Sequence, residues 1–167
     1  MTVKIHPTAI VDSGAQLGKN VKIGPYCIIG GDAVIGDNVV LQAHVVIDGR
    51  TYLGAGSKVF PFAVLGCPPQ HTRYAAEEST LEIGEGCIIR EHATMHPGTA
   101  IGAMRTTVGQ NGMFLAATHV AHDCIVGDNV IFANNASLGG HAEIGNHVMM
   151  GGFSTVQQFC RVGDHAM

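Results

Sequence analysis

Leu17-Gly18-Lys19-Asn20-Val21-Lys22-Ile23-Gly24-Pro25-Tyr26-Cys27-Ile28-Ile29-Gly30-Gly31-Asp32-Ala33-Val34-Ile35-Gly36 sets an aliphatic residue at every sixth position, each followed by glycine. Outward from this stretch, the same step of six lands on Ile5, Val11, Leu41, Ile47, Leu53, Val59 and Leu65. Four residues after most column members stands a small side chain, as at Ala9, Ala15, Cys27, Ala33, Thr51, Ser57 and Ala63. The column is interrupted by Gly66-Cys67-Pro68-Pro69-Gln70-His71-Thr72-Arg73-Tyr74 and a polar run to Thr80, which reads as a loop. It resumes at Ile83, Ile89, Met95 and Ile101, takes one inserted residue near Gly102 to Thr107, and runs from Val108 through Phe114, Val120, Val126, Phe132, Leu138, Ile144, Met150, Val156 and Val162.

A period of six excludes an α-helix, whose apolar positions recur at about 3.6, and the β-branched content favours short strands. One hexad is a strand and a bend, and three such sides close the smallest polygon, about 18 residues per coil. The expected fold is all-β: a parallel β-helix of hexapeptide repeats, one domain over 1–167, with a loop excursion at about 66–81. The glycine that often follows a column residue, as in Leu17-Gly18, Ile23-Gly24, Ile29-Gly30 and Ile35-Gly36, is expected to allow a sharp turn, having no Cβ. Handedness does not follow from the pattern, because the general rule for parallel crossovers points to right-handed coils.

The formal net charge is −4, with Lys and Arg scattered singly, so neither a nucleic-acid stripe nor a polybasic membrane patch is present. The N-terminus lacks the apolar run of a signal peptide, and no stretch approaches the roughly 20 apolar residues of a membrane span. The five cysteines are odd in number and widely spaced, which suggests no zinc or disulfide framework and fits small apolar filler in a reducing cytoplasm. No nucleic-acid partner, membrane insertion, cofactor or metal is expected.

A coil of about 18 residues turns spacing into neighbourhood. His122 then lies under Gly140 and two coils under Gln158, Asp123 lies under His141, and His119 sits just around the preceding corner. A neutral imidazole held in one tautomer by a carboxylate is a general base, and an outward N–H at a bare glycine is an oxyanion donor. Together they suit acyl transfer to a hydroxyl, with no protein nucleophile needed. A lone outward histidine is more often only a solvated surface residue, which is the reading for His6, His44, His147 and His165.

Thr118-His119-Val120-Ala121-His122-Asp123-Cys124, then Ala133-Asn134-Asn135-Ala136 and Leu138-Gly139-Gly140-His141, closely resemble the UDP-N-acetylglucosamine O-acyltransferases that begin lipid A synthesis. His6-Pro7-Thr8-Ala9, Arg73-Tyr74-Ala75, His96-Pro97-Gly98-Thr99 and Gln158-Phe159-Cys160 agree as well. The resemblance implies a left-handed coil. It implies that His122 takes the proton from the glucosamine 3-hydroxyl and that the Gly140 N–H stabilises the thioester oxyanion, the (3-hydroxy)acyl group arriving on acyl carrier protein. It implies that Asp123, His119 and His141 support the base or contact substrate, that Gln70, Arg73, His96 and Gln158 bind substrate, and that the protein is a homotrimer with sites between subunits. His71 departs from the acidic residue usual there, Arg73 from a lysine, and Gln157 from a histidine. The chain stops at Met167, so the C-terminal helical domain of the family is expected to be absent.

Two readings compete. A γ-class carbonic anhydrase-like metalloenzyme uses this coil, with His92, His96, His119 and His122 as the histidines to consider; against it, the later pair here is separated by two residues rather than four. A non-catalytic trimeric β-helix fragment is the other. Nearer relatives, an N-acyltransferase later in the same pathway or a hexapeptide sugar acetyltransferase, fit the Asp-Cys after His122 less well.

Overall fold

The computed structural model describes residues 2–167; Met1, the first residue of the expected domain, lies outside the described residues. Among these residues there is no helix, and 24 short strands run from β1 (Lys4–Ile5) to β24 (Arg161–Val162). They form three parallel sheets of eight strands each, successive strands passing from one sheet to the next, so that three strands make a coil and eight coils stack. The coil is left-handed. The right-handed rule rests on a crossover that must pack back on its sheet; here the connections are tight corners with nothing to pack back.

The column fills the interior. Ile29, Leu41, Ile47, Leu65, Ile89 and Phe132 are at most 1% exposed, and the small residues four further on, among them Cys27, Ala33, Thr51 and Ala63, are fully buried. Each large member contributes about 1.5–3 kcal/mol of burial. Phe114 and Phe132 meet edge to face at 5.0 Å in the later coils.

Most turns are not made at the glycine that directly follows a column residue. Gly18, Gly36 and Gly54 have ordinary backbone angles, and a Cβ on them would come within 2.7 Å of backbone in the next coil, so these glycines permit close stacking. The left-handed residue is the third after most column members: Asn20, Tyr26, Asn38, His44, Asp123 and His141 all have φ between 58° and 62°. Asparagine and aspartate tolerate this region best, and the remainder are held in it by the coils on either side.

Of the two loops, only the second differs from expectation. The first runs from Gly66 to Ser79, since β12 (Thr80–Ile83) already pairs with β9 (Arg50–Leu53). The second is larger than one inserted residue. β15 (Arg105–Val108) pairs Val108 with Ile83, a spacing of 25 instead of 18, so seven residues leave the coil after β14 (Thr94–Met95). Ile101 is therefore not a column residue; it is 51% exposed on that loop. Packing chose Val108 for the wall, and periodicity alone had no means of preferring it.

Candidate functional site

β17 (His119–Val120) pairs with β20 (Ser137–Leu138) in a register of 18, placing the turn Ala121–His122 directly beside Gly139–Gly140. The His141 N–H donates to the His122 carbonyl at 3.0 Å and locks that register through the corner. Gly140 lies against the His122 ring: a Cβ there would stand 2.5 Å from Cε1 and 2.7 Å from Nε2. Its own N–H donates to no backbone or side-chain acceptor among the described residues. The edge of an imidazole thus lies against a residue whose amide has no protein acceptor.

The other ring nitrogen is engaged. His122 Nδ1 lies 2.9 Å from Asp123 Oδ2, and the Asp123 side chain is fully buried. Burial opposes its ionisation, but donors outweigh it. The Thr99 hydroxyl donates at 2.6 Å, the Thr99 N–H at 3.1 Å to both oxygens, and the Ala103 N–H at 2.9 Å, so the carboxyl is held below the usual range. An ionised Asp123 accepts from Nδ1–H and leaves Nε2 as the free lone pair beside Gly140.

His122 and Gly140 open on a groove of about 300 Å³ whose walls include Gln70, His96, His119 and Gln158, four of the six expected substrate-binding residues. His119 stands on β17 itself, the strand that leads to His122, and not around a corner. Burial, then the neighbouring His96 and His122, pull its imidazole down to about 4, so it is neutral at pH 7. Its Nδ1 pairs with the Thr94 hydroxyl at 2.8 Å. His96 Nδ1 pairs with the Cys67 carbonyl at 2.9 Å, which leaves a buried Nε2 without a partner, an acceptor for a donor entering the groove.

The other two expected residues lie outside this groove. His141 flanks the ring of His122 edge-on at 5.1 Å, stacks on Phe159 at 4.5 Å and faces a neighbouring groove with Arg161. Arg73 is exposed on the loop, and its backbone N–H donates to His71 Nδ1. His71, on the same loop, stands edge-on to His122 at 5.0 Å. Ser137 and Thr155 line the groove and Thr94, Thr99 and Ala103 support it, none of them singled out by sequence. Their one signal is register, plain for Ser137 and Thr155 at 18 and 36 residues after His119 and hidden by the second loop for Thr94, Thr99 and Ala103. A larger concavity of about 600 Å³ along Tyr52, Glu82 and Thr107 holds no imidazole.

Among the described residues, one set could bring three donor atoms together for a metal: His122, Asp123 and His141. The Asp123 carboxylate already accepts from three protein donors, the Thr99 N–H reaching both oxygens, besides its contact with His122 Nδ1, so a cation would have to displace a complete network. Of the histidines raised for a carbonic anhydrase-like centre, His96, His119 and His122 share the groove without forming such a set among the described residues, and His92 is stacked on Phe62 in a separate aromatic column.

Residues 14–49 match the bacterial transferase hexapeptide family model, described as six repeats. The acyl-[acyl-carrier-protein]–UDP-N-acetylglucosamine O-acyltransferase of Sinorhizobium fredii is 49% identical over 99% of this chain and 61% of its own length. That of Bartonella henselae is 53% identical over 98% of this chain and 60% of its own. The solved UDP-N-acetylglucosamine O-acyltransferase of Moraxella catarrhalis superimposes with a TM-score of 0.94 at 45% identity, covering 98% of this chain and 63% of that one. The chain spans about three fifths of the length of the curated relatives it matches.

Proposed function

Because this chain belongs with the UDP-N-acetylglucosamine O-acyltransferases, as a homologue of about three fifths of their length, we propose that it transfers a (3-hydroxy)acyl group from acyl carrier protein to the 3-hydroxyl of UDP-N-acetylglucosamine, the first step of lipid A synthesis. The observation that supports this reading is the contact of Gly140, whose N–H has no protein acceptor, with the His122 ring.

His122 Nε2 takes the proton of the sugar 3-hydroxyl as its oxygen attacks the thioester carbonyl. The Gly140 N–H donates to the oxyanion that forms. Collapse restores the carbonyl as an ester, breaks the C–S bond, and the proton on His122 passes to the departing thiolate. Asp123 keeps the imidazole in the Nδ1–H tautomer and faces the imidazolium while it exists. A placed general base contributes about 10²–10⁴ in rate and one oxyanion donor about 10²–10³. Cys124 is no nucleophile, since burial pushes its thiol up to about 12.

Gln70, His96, His119 and Gln158 bind the sugar or the acyl carbonyl from the groove walls, while Arg73 and His141 reach substrate from its margins. The groove is open on one side, and we place a second copy there, in a homotrimer whose subunits complete each other's sites. The five free cysteines fit the cytoplasm, where we place the reaction. Transfer of radiolabelled acyl groups from acyl carrier protein to UDP-N-acetylglucosamine tests the proposal. It should fall at least about 100-fold in His122→Ala, and unchanged transfer in that variant would overturn it.

A further inference from the structure

We propose that Thr99 is a positioning residue of the acyl-transfer site, acting through Asp123 to hold His122 as a base. The inference rests on the acyl-transfer reading above and goes beyond it by giving the second loop a task.

That loop is the seven-residue departure from the coil between β14 and β15. It does not hang free. It folds back over the corner where Asp123 stands and closes on the carboxylate. The backbone at Gly102 lies so flat on it that a Cβ would be 2.3 Å from its Cγ. Thr99 is 1% exposed and makes the shortest of the contacts, 2.6 Å from its hydroxyl to Oδ2. On the other side, the Asp123 N–H donates to the Thr106 hydroxyl at 2.8 Å, so the residue is held from both backbone and side chain.

The arrangement matters because Oδ2 serves two donors, the Thr99 hydroxyl and His122 Nδ1. A buried carboxylate with too few donors either takes up a proton or turns toward the nearest cation. Either event costs His122 its fixed tautomer or makes it too reluctant to release its proton. The Thr99 hydroxyl satisfies part of the charge and leaves one lone-pair direction for the imidazole. The other titratable groups facing this pair are His71 and His141, edge-on to His122 at 5.0 and 5.1 Å, and His119 on the adjoining strand; His141 Nε2 is 3.9 Å from Oδ2. Glu143 and Arg161 lie beyond His141 along the neighbouring groove. None of them replaces a hydroxyl at 2.6 Å from the carboxylate.

Thr99→Val keeps the shape and the backbone donor and removes the hydroxyl. Less of the Asp123 charge is then satisfied, so the imidazolium of His122 is favoured and the base is harder to free. The acid limb of the pH profile of kcat/KM should move to higher pH, and kcat should fall about tenfold with KM for UDP-N-acetylglucosamine unchanged. Thr99→Ser should restore both. If valine does not pack and the protein fails to fold, Thr99→Ala also lacks the hydroxyl and should show the same displaced limb. An acid limb that stays in place in the hydroxyl-free variant, or that moves equally in Thr99→Ser, overturns the proposal. His122→Ala, run alongside, separates the two readings: if it retains activity the general-base assignment is wrong, and if it is dead the Thr99 result bears on this inference alone.

Discussion

Gly140 and His122 are in contact across one coil step, the glycine Cα facing the Cε1–Nε2 edge of the ring with no room for a Cβ between them. The pair couples the base and the oxyanion donor: moving either displaces the other. Gly140→Ala should therefore reduce kcat by about 10²–10³, while overpacking lowers stability by only about 1–3 kcal/mol. Steady-state kinetics together with urea denaturation would separate these effects.

Asp123→Asn preserves size and removes the charge. An amide NH₂ would then face the donors of Thr99 and Ala103, and His122 would lose the acceptor that fixes its tautomer. Transfer should fall by about 10⁴, the scale of the comparable change in a histidine–aspartate pair. The folded carboxyl lies below its usual value, so its stabilisation is present above about pH 3.9, where the unfolded chain also ionises, and is lost as pH falls through the lower folded value. Thermal melts between pH 5 and the acid limit, set on the order of those values, should be flatter for Asp123→Asn than for the parent.

His119 behaves in a different window. Its folded value of about 4 lies under the roughly 6.5 of an unfolded histidine. Between the two the unfolded chain binds a proton that the folded chain does not, so stability is full above this window and declines as pH drops through it. Histidine NMR titration should find the His119 resonance still moving near pH 4. A midpoint near about 6.5 would contradict the buried placement.

The wall of the coil can be checked by paired truncations. Ile89→Ala, at a fully buried column position, should cost about 2–5 kcal/mol. Ile101→Ala, on the expelled loop, should cost no more than about 0.5 kcal/mol. Equal losses in denaturant titrations would return Ile101 to the interior.

Cysteine labelling offers a simple test of burial. Iodoacetamide should modify the exposed Cys160 in the folded protein and leave Cys124 untouched until it unfolds. Mass spectrometry of the digested protein identifies which thiol reacts first.

Much of the fold is legible in residues such as Ile23, Ile29 and Ile35 because a coil wall demands an inward aliphatic once per side, and that demand is local and periodic. The same phase was enough to set His122 under Gly140 and Asp123 under His141, because no loop interrupts the 18-residue step between them. The glycines after Leu17, Ile23, Ile29 and Ile35 were equally visible, yet their reason was not: they serve the approach of coils, while residues such as Asn20 and His44 make the turn.

By itself, then, the sequence determined the repeat, the interior column and the partnership of His122 with Gly140. Only the tertiary structure decided what lies on the earlier side of the site. Two loops stretch the coil spacing to 30 and 25 residues, so Thr94 beside His119 and Thr99 on Asp123 stand at separations that no fixed period finds. Which residues a coil expels depends on how the alternatives pack against the coils above and below, as with Val108 in the wall and Ile101 outside. That competition is settled between distant segments, and periodicity within one segment does not contain it.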